Sequence, residues 1–255
     1  MIKRKILVGN WKMNPSSPEE AVNLVKEIQQ KLENNKKTDV VICPPFIFLN
    51  EIGTILKGQK RIKLGSQDVF GGDGTSFTGE VSVDMIKNAG AEYAIVGHSE
   101  RRKICETLEM ISEKVVSSLK GEIKTILCIG EKERNEEGDF YNFVKTELLE
   151  ALVKVNKKNI SNLIIAYEPV WAIGKKESEA IRPEDLHEMT IFIKKVLNDK
   201  FKEEGLMVPI LYGGSVSKNN ARDFITKGQI DGLLLGRESL KPENFAEVAM
   251  MLGEI

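Results

Sequence analysis

The stretch Leu163-Ile164-Ile165-Ala166-Tyr167-Glu168-Pro169-Val170-Trp171-Ala172-Ile173-Gly174 decides the fold. An unbroken apolar run, Leu163–Tyr167, is followed at once by a carboxylate and then by an apolar loop bounded by proline and glycine. Apolar residues at consecutive positions mark a strand buried on both faces, as in a parallel sheet covered by helices. A carboxylate at the end of such a strand is partly desolvated, which makes it a better base. It can equally be a structural carboxylate paired with a neighbouring cation. The apolar loop after it tips the reading toward chemistry, because it has the character of a lid that buries a substrate and excludes water.

Seven similar runs flank this one: Ile6–Gly9, Val40–Cys43, Ile62–Gly65, Tyr93–Val96, Thr125–Ile129, Pro209–Tyr212 and Gly232–Leu235. Amphipathic segments lie between them. Ser17-Pro18-Glu19-Glu20 offers an N-cap, a proline at the first helical position and a glutamate at the third, and Ala21, Leu24, Val25, Ile28 and Leu32 then recur at helical spacing. Helices are also expected from about Phe140 to Val155, Pro183 to Leu197, Pro242 to Met251 and Ile111 to Leu119. Strand–helix alternation repeated eight times in 255 residues predicts an α/β fold, a (β/α)8 barrel forming a single domain over residues 1–255. The competing doubly wound sheet carries a glycine fingerprint after its first strand, and Gly9-Asn10-Trp11-Lys12 is not one.

Composition narrows the partners. With 41% apolar and 29% charged residues the chain has material for a large core, and a net charge of −1 gives no global attraction for nucleic acid or an anionic membrane. No apolar stretch approaches the ~20 residues of a membrane helix, and the start lacks a signal-peptide core. Cys43, Cys105 and Cys128 show no CxxC pairing and read as reduced thiols of a cytoplasmic protein. The run Glu131–Glu137 reads as a solvated loop or helix start.

In a barrel of this kind the chemistry gathers at the C-terminal ends of the strands. Strand one ends in Asn10-Trp11-Lys12, strand four in Gly97-His98-Ser99-Glu100-Arg101, and strand six in Glu168-Pro169. His98 precedes a helix start, whose positive potential disfavours the imidazolium, and a neutral imidazole can polarise a carbonyl. The other reading is a satisfied structural histidine. Lys12 supplies a point charge near a substrate or is an ordinary solvated lysine. Gly213-Gly214-Ser215 and Gly236-Arg237 end strands seven and eight, where backbone N–H groups commonly bind phosphate in this fold; the alternative is two tight turns.

Taken together, Gly9-Asn10-Trp11-Lys12-Met13-Asn14, Val96-Gly97-His98-Ser99-Glu100-Arg101-Arg102, Tyr167-Glu168-Pro169-Val170-Trp171-Ala172-Ile173-Gly174 and Tyr212-Gly213-Gly214-Ser215-Val216 resemble the triosephosphate isomerase family nearly end to end. The resemblance implies the scheme known for that family, carried onto these positions. In it Glu168 removes a proton from the carbon beside the carbonyl, and His98 donates to the carbonyl oxygen and shuttles protons on the enediolate. Lys12 offsets the developing negative charge, Asn10 hydrogen-bonds substrate or oxyanion, and Glu100 supports Lys12. The N–H groups of Gly174, Ser215, Gly236 and Arg237 hold the phosphate. The resemblance also implies a homodimer through the loop around Phe77-Thr78-Gly79-Glu80, preceded by the glycine-rich Gly71-Gly72-Asp73-Gly74. No metal or organic cofactor is expected, because no cluster of ligand type and spacing occurs.

Some positions depart from the family pattern. Gly174 is followed by Lys175-Lys176-Glu177-Ser178-Glu179 instead of the usual Thr-Gly-Lys, Arg237 replaces the second glycine after strand eight, and Asp68 replaces the usual asparagine after Gln67. The first expectation is interconversion of dihydroxyacetone phosphate and D-glyceraldehyde 3-phosphate. The departures keep two alternatives open: the same chemistry on a four-carbon ketose phosphate, and a non-catalytic phosphosugar-binding homologue.

Overall fold

The structure is a computed structural model that describes residues 4–35, 37–72, 76–175 and 179–255. Asp73 and Gly74 of the glycine-rich stretch, and residues 176–178 of the altered lid end, lie outside the described residues.

Eight parallel strands close into a barrel in chain order. They are β1 (Lys5–Asn10), β2 (Thr38–Cys43), β3 (Ile62–Ser66), β4 (Ala91–Val96), β5 (Lys124–Ile129), β6 (Leu163–Tyr167), β7 (Ile210–Tyr212) and β8 (Gly232–Leu235). The ring closes where β1 pairs with β8, Ile6 opposite Gly232 and Gly9 opposite Leu235. Consecutive apolar residues serve two cores, because side chains alternate across a strand. Val8, Val41, Ile95, Ile126, Cys128, Ala166 and Leu211 fill the barrel interior. Their neighbours Leu7, Val40, Ile42, Val96, Leu127, Ile165 and Tyr212 face outward and pack under the helices.

The helices are α1 (Pro18–Lys31), α2 (Phe46–Leu56), α3 (Val83–Asn88), α4 (Ser99–Lys103), α5 (Leu108–Lys120), α6 (Asp139–Ala151), α7 (Pro183–Phe201), α8 (Glu203–Met207), α9 (Ala221–Thr226) and α10 (Pro242–Glu254). Ser17 caps α1 as its sequence predicts, accepting the Glu20 N–H at 3.3 Å. The return half of the capping box is replaced: Glu20 reaches one residue further back, to the Ser16 N–H and hydroxyl, each at 3.0 Å. α5 starts earlier than its apolar periodicity indicates, because Thr107 caps it through the Met110 N–H at 3.2 Å. α6 stops at Ala151, short of the expected Val155.

Candidate active site

Loop one sets the ammonium. Lys12 sits in the left-handed region at φ +54°, a conformation costly for a side-chain-bearing residue unless its surroundings enforce it. Asn10 Oδ1 accepts the Lys12 N–H at 3.0 Å, and Gln67 Nε2 donates to the Lys12 carbonyl at 2.9 Å and to the Cys43 carbonyl at 2.8 Å. With its oxygen committed to the backbone, Asn10 offers the site its amide N–H groups. The Lys12 Nζ lies 2.6 Å from Glu100 Oε1. Burial works to raise the Glu100 carboxyl, and the Lys12 ammonium outweighs it, holding the group below its ordinary value.

The imidazole comes from the β4 end. His98 is itself the N-cap of α4: its Nδ1 accepts the Glu100 N–H at 3.2 Å. An accepting Nδ1 carries a lone pair, so in the neutral ring the proton is on Nε2. That Nε2 lies 3.4 Å from Glu168 Oε1.

Glu168 continues β6, its N–H bonded to the Ile129 carbonyl at 2.8 Å. It is 2% exposed, and Oε2 has no hydrogen-bond partner among the described residues. A buried carboxylate oxygen left unpaired costs stability, an arrangement that catalytic groups tolerate. Gly213 presses against it. A Cβ at position 213 would stand 2.7 Å from Glu168 Cγ, so only glycine leaves the carboxylate its place. Beneath, burial and then the Glu168 carboxylate push the Cys128 thiol well above its ordinary value, so it stays protonated.

One cavity of about 440 Å³ is lined by Asn10, Lys12, His98, Glu168, Gly174, Ser215, Gly236 and Arg237. Every candidate site residue read from the sequence therefore meets there except Glu100, which reaches the site through Lys12 and His98. Ser215 does more than present a backbone N–H: its hydroxyl contacts the lid carbonyls of Ala172 at 2.8 Å and Lys175 at 3.0 Å. Gly174, at φ +72°, occupies a lid position that glycine takes without strain.

The family described as triosephosphate isomerase matches residues 5–252. The chain belongs to the triosephosphate isomerase family. It is 41% identical over 250 residues to a triosephosphate isomerase of Caldanaerobacter subterraneus subsp. tengcongensis, covering 97% of this chain and 99% of that protein. It is 39% identical over 247 residues to one of Aquifex aeolicus, covering 96% and 98%. The crystal structure of triosephosphate isomerase from Bartonella henselae superposes with a TM-score of 0.85 at 31% identity, covering 97% of this chain and 98% of that one.

Within that family frame, the structure corrects the reading of Glu131. It is not part of a solvated run but 1% exposed. Its carboxylate accepts the Tyr167 hydroxyl at 2.8 and 2.9 Å, the Trp171 indole N–H at 2.9 Å and the Arg134 Nε–H at 2.9 Å. Burial first, and the Glu131 carboxylate next, hold the Tyr167 phenol well above its ordinary range, so it remains a donor. The first turn of the lid is thus tied to a buried anion.

Asp68 proves equally specific. Its carboxylate lies 2.8 Å from Lys114 Nζ and 2.9 Å from Arg101, and Lys114 also pairs with Glu106. Asp68, Glu106 and Lys114 are all buried. Three cavity-lining residues escaped the sequence reading, Ser217, Glu238 and Lys241. Glu238 and Lys241 pair at 2.7 Å, and Asn244 Nδ2 donates to Glu238 at 2.8 Å. A polar pair directly after the anomalous Arg237 was the available signal.

Proposed function

We infer that this protein is an aldose–ketose isomerase that interconverts dihydroxyacetone phosphate and D-glyceraldehyde 3-phosphate through an enediolate. The carrying observation is the 3.4 Å approach of His98 Nε2 to Glu168 Oε1 at one end of a cavity whose other end is made of two glycine-rich loops. The carboxylate takes a proton from the carbon beside the carbonyl, the C–H electron pair becomes the enediolate C=C bond, and the carbonyl π pair moves onto the oxygen. His98 Nε2–H donates to that oxygen and then exchanges protons between the two oxygens. Return of the proton from Glu168 to the neighbouring carbon completes the isomerisation. Lys12 opposes the negative charge of the enediolate, and the Asn10 amide donates to it. Backbone N–H groups at Gly174, Ser215, Gly236 and Arg237 receive the phosphate, and the closed lid keeps water and phosphate elimination out. Glutamate base, neutral histidine and closing lid are the family's known scheme, here placed on this chain's residues.

Relatives 36–41% identical over nearly the whole chain carry the name triosephosphate isomerase, which favours the three-carbon substrate over the four-carbon and non-catalytic alternatives. We place the enzyme in the cytoplasm as one domain over residues 1–255. Free Cys43, Cys105 and Cys128 suit a reducing compartment. It works as a homodimer through the Phe77–Glu80 loop. Support comes from apolar side chains left exposed around this end of the barrel: Met13 at 94%, Ile47 at 82% and Phe77 at 55%. Met13 adjoins Lys12, so a partner docked there closes one wall beside the site.

The test is an isomerase assay on triose and tetrulose phosphates with wild type and Glu168→Asp. Shortening the base by one methylene lowers kcat by about 100-fold or more with KM nearly unchanged. Unchanged turnover removes Glu168 from its role, and faster turnover of the tetrulose phosphate reassigns the substrate.

A further inference from the structure

Arg237 stands where the family places its second glycine after strand eight, and its side chain does something a glycine cannot. The guanidinium reaches across the cavity mouth and donates from Nη2 to the Gly174 carbonyl at 3.2 Å. The lid end is therefore bridged from both phosphate loops: by Ser215 from the β7 side and by Arg237 from the β8 side. The bond to Gly174 engages one of five guanidinium N–H groups. Among the described residues no carboxylate is paired with Arg237; its neighbour Glu238 is taken by Lys241 and Asn244. A guanidinium that makes no ion pair among the described residues, and whose charge is felt by Glu238, thus lines the end of the cavity that Gly236 and Ser215 build for an anion.

We propose that the Arg237 side chain reads the substrate phosphate and, through Gly174, couples its arrival to closure of the lid. The proposal rests on the phosphorylated-substrate reading given under Proposed function. A planar fork can hold a carbonyl with one N–H and a phosphate oxygen with another, which a point charge or a backbone N–H does not do. A lid carbonyl and a phosphate sharing one guanidinium are held together, so phosphate binding favours the closed lid. Arg237 also adds a charge, which makes binding of the dianion more sensitive to salt.

The experiment uses the full chain with Arg237→Gly, Arg237→Gln and Arg237→Lys. Inorganic phosphate is titrated calorimetrically at low and high ionic strength, and kcat and KM are measured with glyceraldehyde 3-phosphate. Arg237 is exposed, so the variants are expected to fold with unchanged thermal midpoints. Loss of one charge-assisted contact weakens phosphate binding about tenfold in Arg237→Gly and Arg237→Gln, and flattens its salt dependence. Arg237→Lys retains the salt dependence but only part of the affinity. Arg237→Lys, whose ammonium has nearly the reach of the guanidinium and can still donate to Gly174, keeps kcat closer to wild type than Arg237→Gly does. Phosphate affinity and its salt dependence unchanged in Arg237→Gly and Arg237→Gln overturn the proposal, as does a kcat in Arg237→Lys no higher than in Arg237→Gly. If wild type binds phosphate and the variants lose it while no isomerase activity is found, the Arg237 assignment holds and the reading of the reaction fails.

Discussion

A single methyl group at Gly213 tests the placement of the base. The substitution Gly213→Ala puts a Cβ 2.7 Å from Glu168 Cγ and 3.0 Å from its Oε1, where ordinary contact begins at 3.4 Å. Position 213 does not have a positive φ, so alanine brings no backbone strain of that kind. The Gly213 N–H bond to the Tyr167 carbonyl, 2.9 Å, is also retained. The strain falls on the Glu168 side chain, which must recede by about 0.7 Å. Misplacing a catalytic group by about 1 Å costs on the order of 100-fold in rate. We therefore expect kcat to fall by roughly 10- to 100-fold, about 1.4–2.7 kcal/mol of barrier, with little change in affinity for inorganic phosphate, because the N–H groups of Ser215, Gly236 and Arg237 are retained and the added methyl faces Glu168. Steady-state kinetics in both directions give kcat and KM, a phosphate titration supplies the control, and circular dichroism with a thermal melt checks the fold. A folded Gly213→Ala enzyme with kcat within about twofold of wild type would refute the claim that Glu168, where it now lies, is the base.

The same side-chain geometry carries three other expectations. Lys114→Met strands the Asp68 and Glu106 carboxylates without their shared buried cation, a loss of about 3–5 kcal/mol; at ~2–4 °C per kcal/mol for a chain of this size, the calorimetric midpoint drops by about 6–20 °C, and Asp68→Asn with Glu106→Gln on that background restores part of it. Burial and the hydrogen bond to Glu188 push the Tyr141 phenol up to about 12 from its ordinary 10. Because the folded value is the higher one, the stabilisation is full below pH 10 and disappears as pH rises through 12. An ultraviolet phenol titration should show that shift reduced in Glu188→Gln, the part due to burial remaining, and a wild-type shift unaltered by the mutation refutes the pairing. Phe77→Asp places a charge on the exposed loop proposed to dock into a second copy; sedimentation velocity is expected to show monomers with lowered kcat, and an unchanged dimer moves the interface elsewhere.

The strands were readable because a residue buried on both faces of a sheet must be apolar whichever way it points. Leu163–Tyr167 and Gly232–Leu235 coincide with the observed strands, and the other strands differ by a residue or two at their ends. The cavity was readable because a barrel concentrates chemistry at one end of each strand, so a short list of strand-end residues, from Asn10 to Arg237, already names most of its wall. Side-chain partnerships were not readable. Asp68 finds Lys114 46 positions away, and nothing near Asp68 in sequence announces a cation. Arg237 was visible as an anomaly, but its bond to Gly174, 63 positions away, was not.

Glu131 shows what that blindness conceals. In sequence it opens a run of charges and looks solvated; in space Tyr167, Trp171 and Arg134 close over it, and the charge becomes an internal anchor. The lid consequently has unlike ends. Its first turn hangs from a buried carboxylate through Trp171, surrounded by donors that remain donors across the physiological pH range. Its far end is held by contacts at the cavity mouth, the Ser215 hydroxyl and the exposed Arg237 guanidinium. A ligand shifts a conformational equilibrium only through groups it contacts differently in the two states. On the proposed reading, phosphate entering between the β7 and β8 loops meets Ser215 and Arg237, which hold Ala172, Gly174 and Lys175, and not Glu131, which anchors Trp171. In the proposal, closure is then a motion about the Trp171 end held by Glu131, biased by phosphate at the Gly174 end that Arg237 bridges.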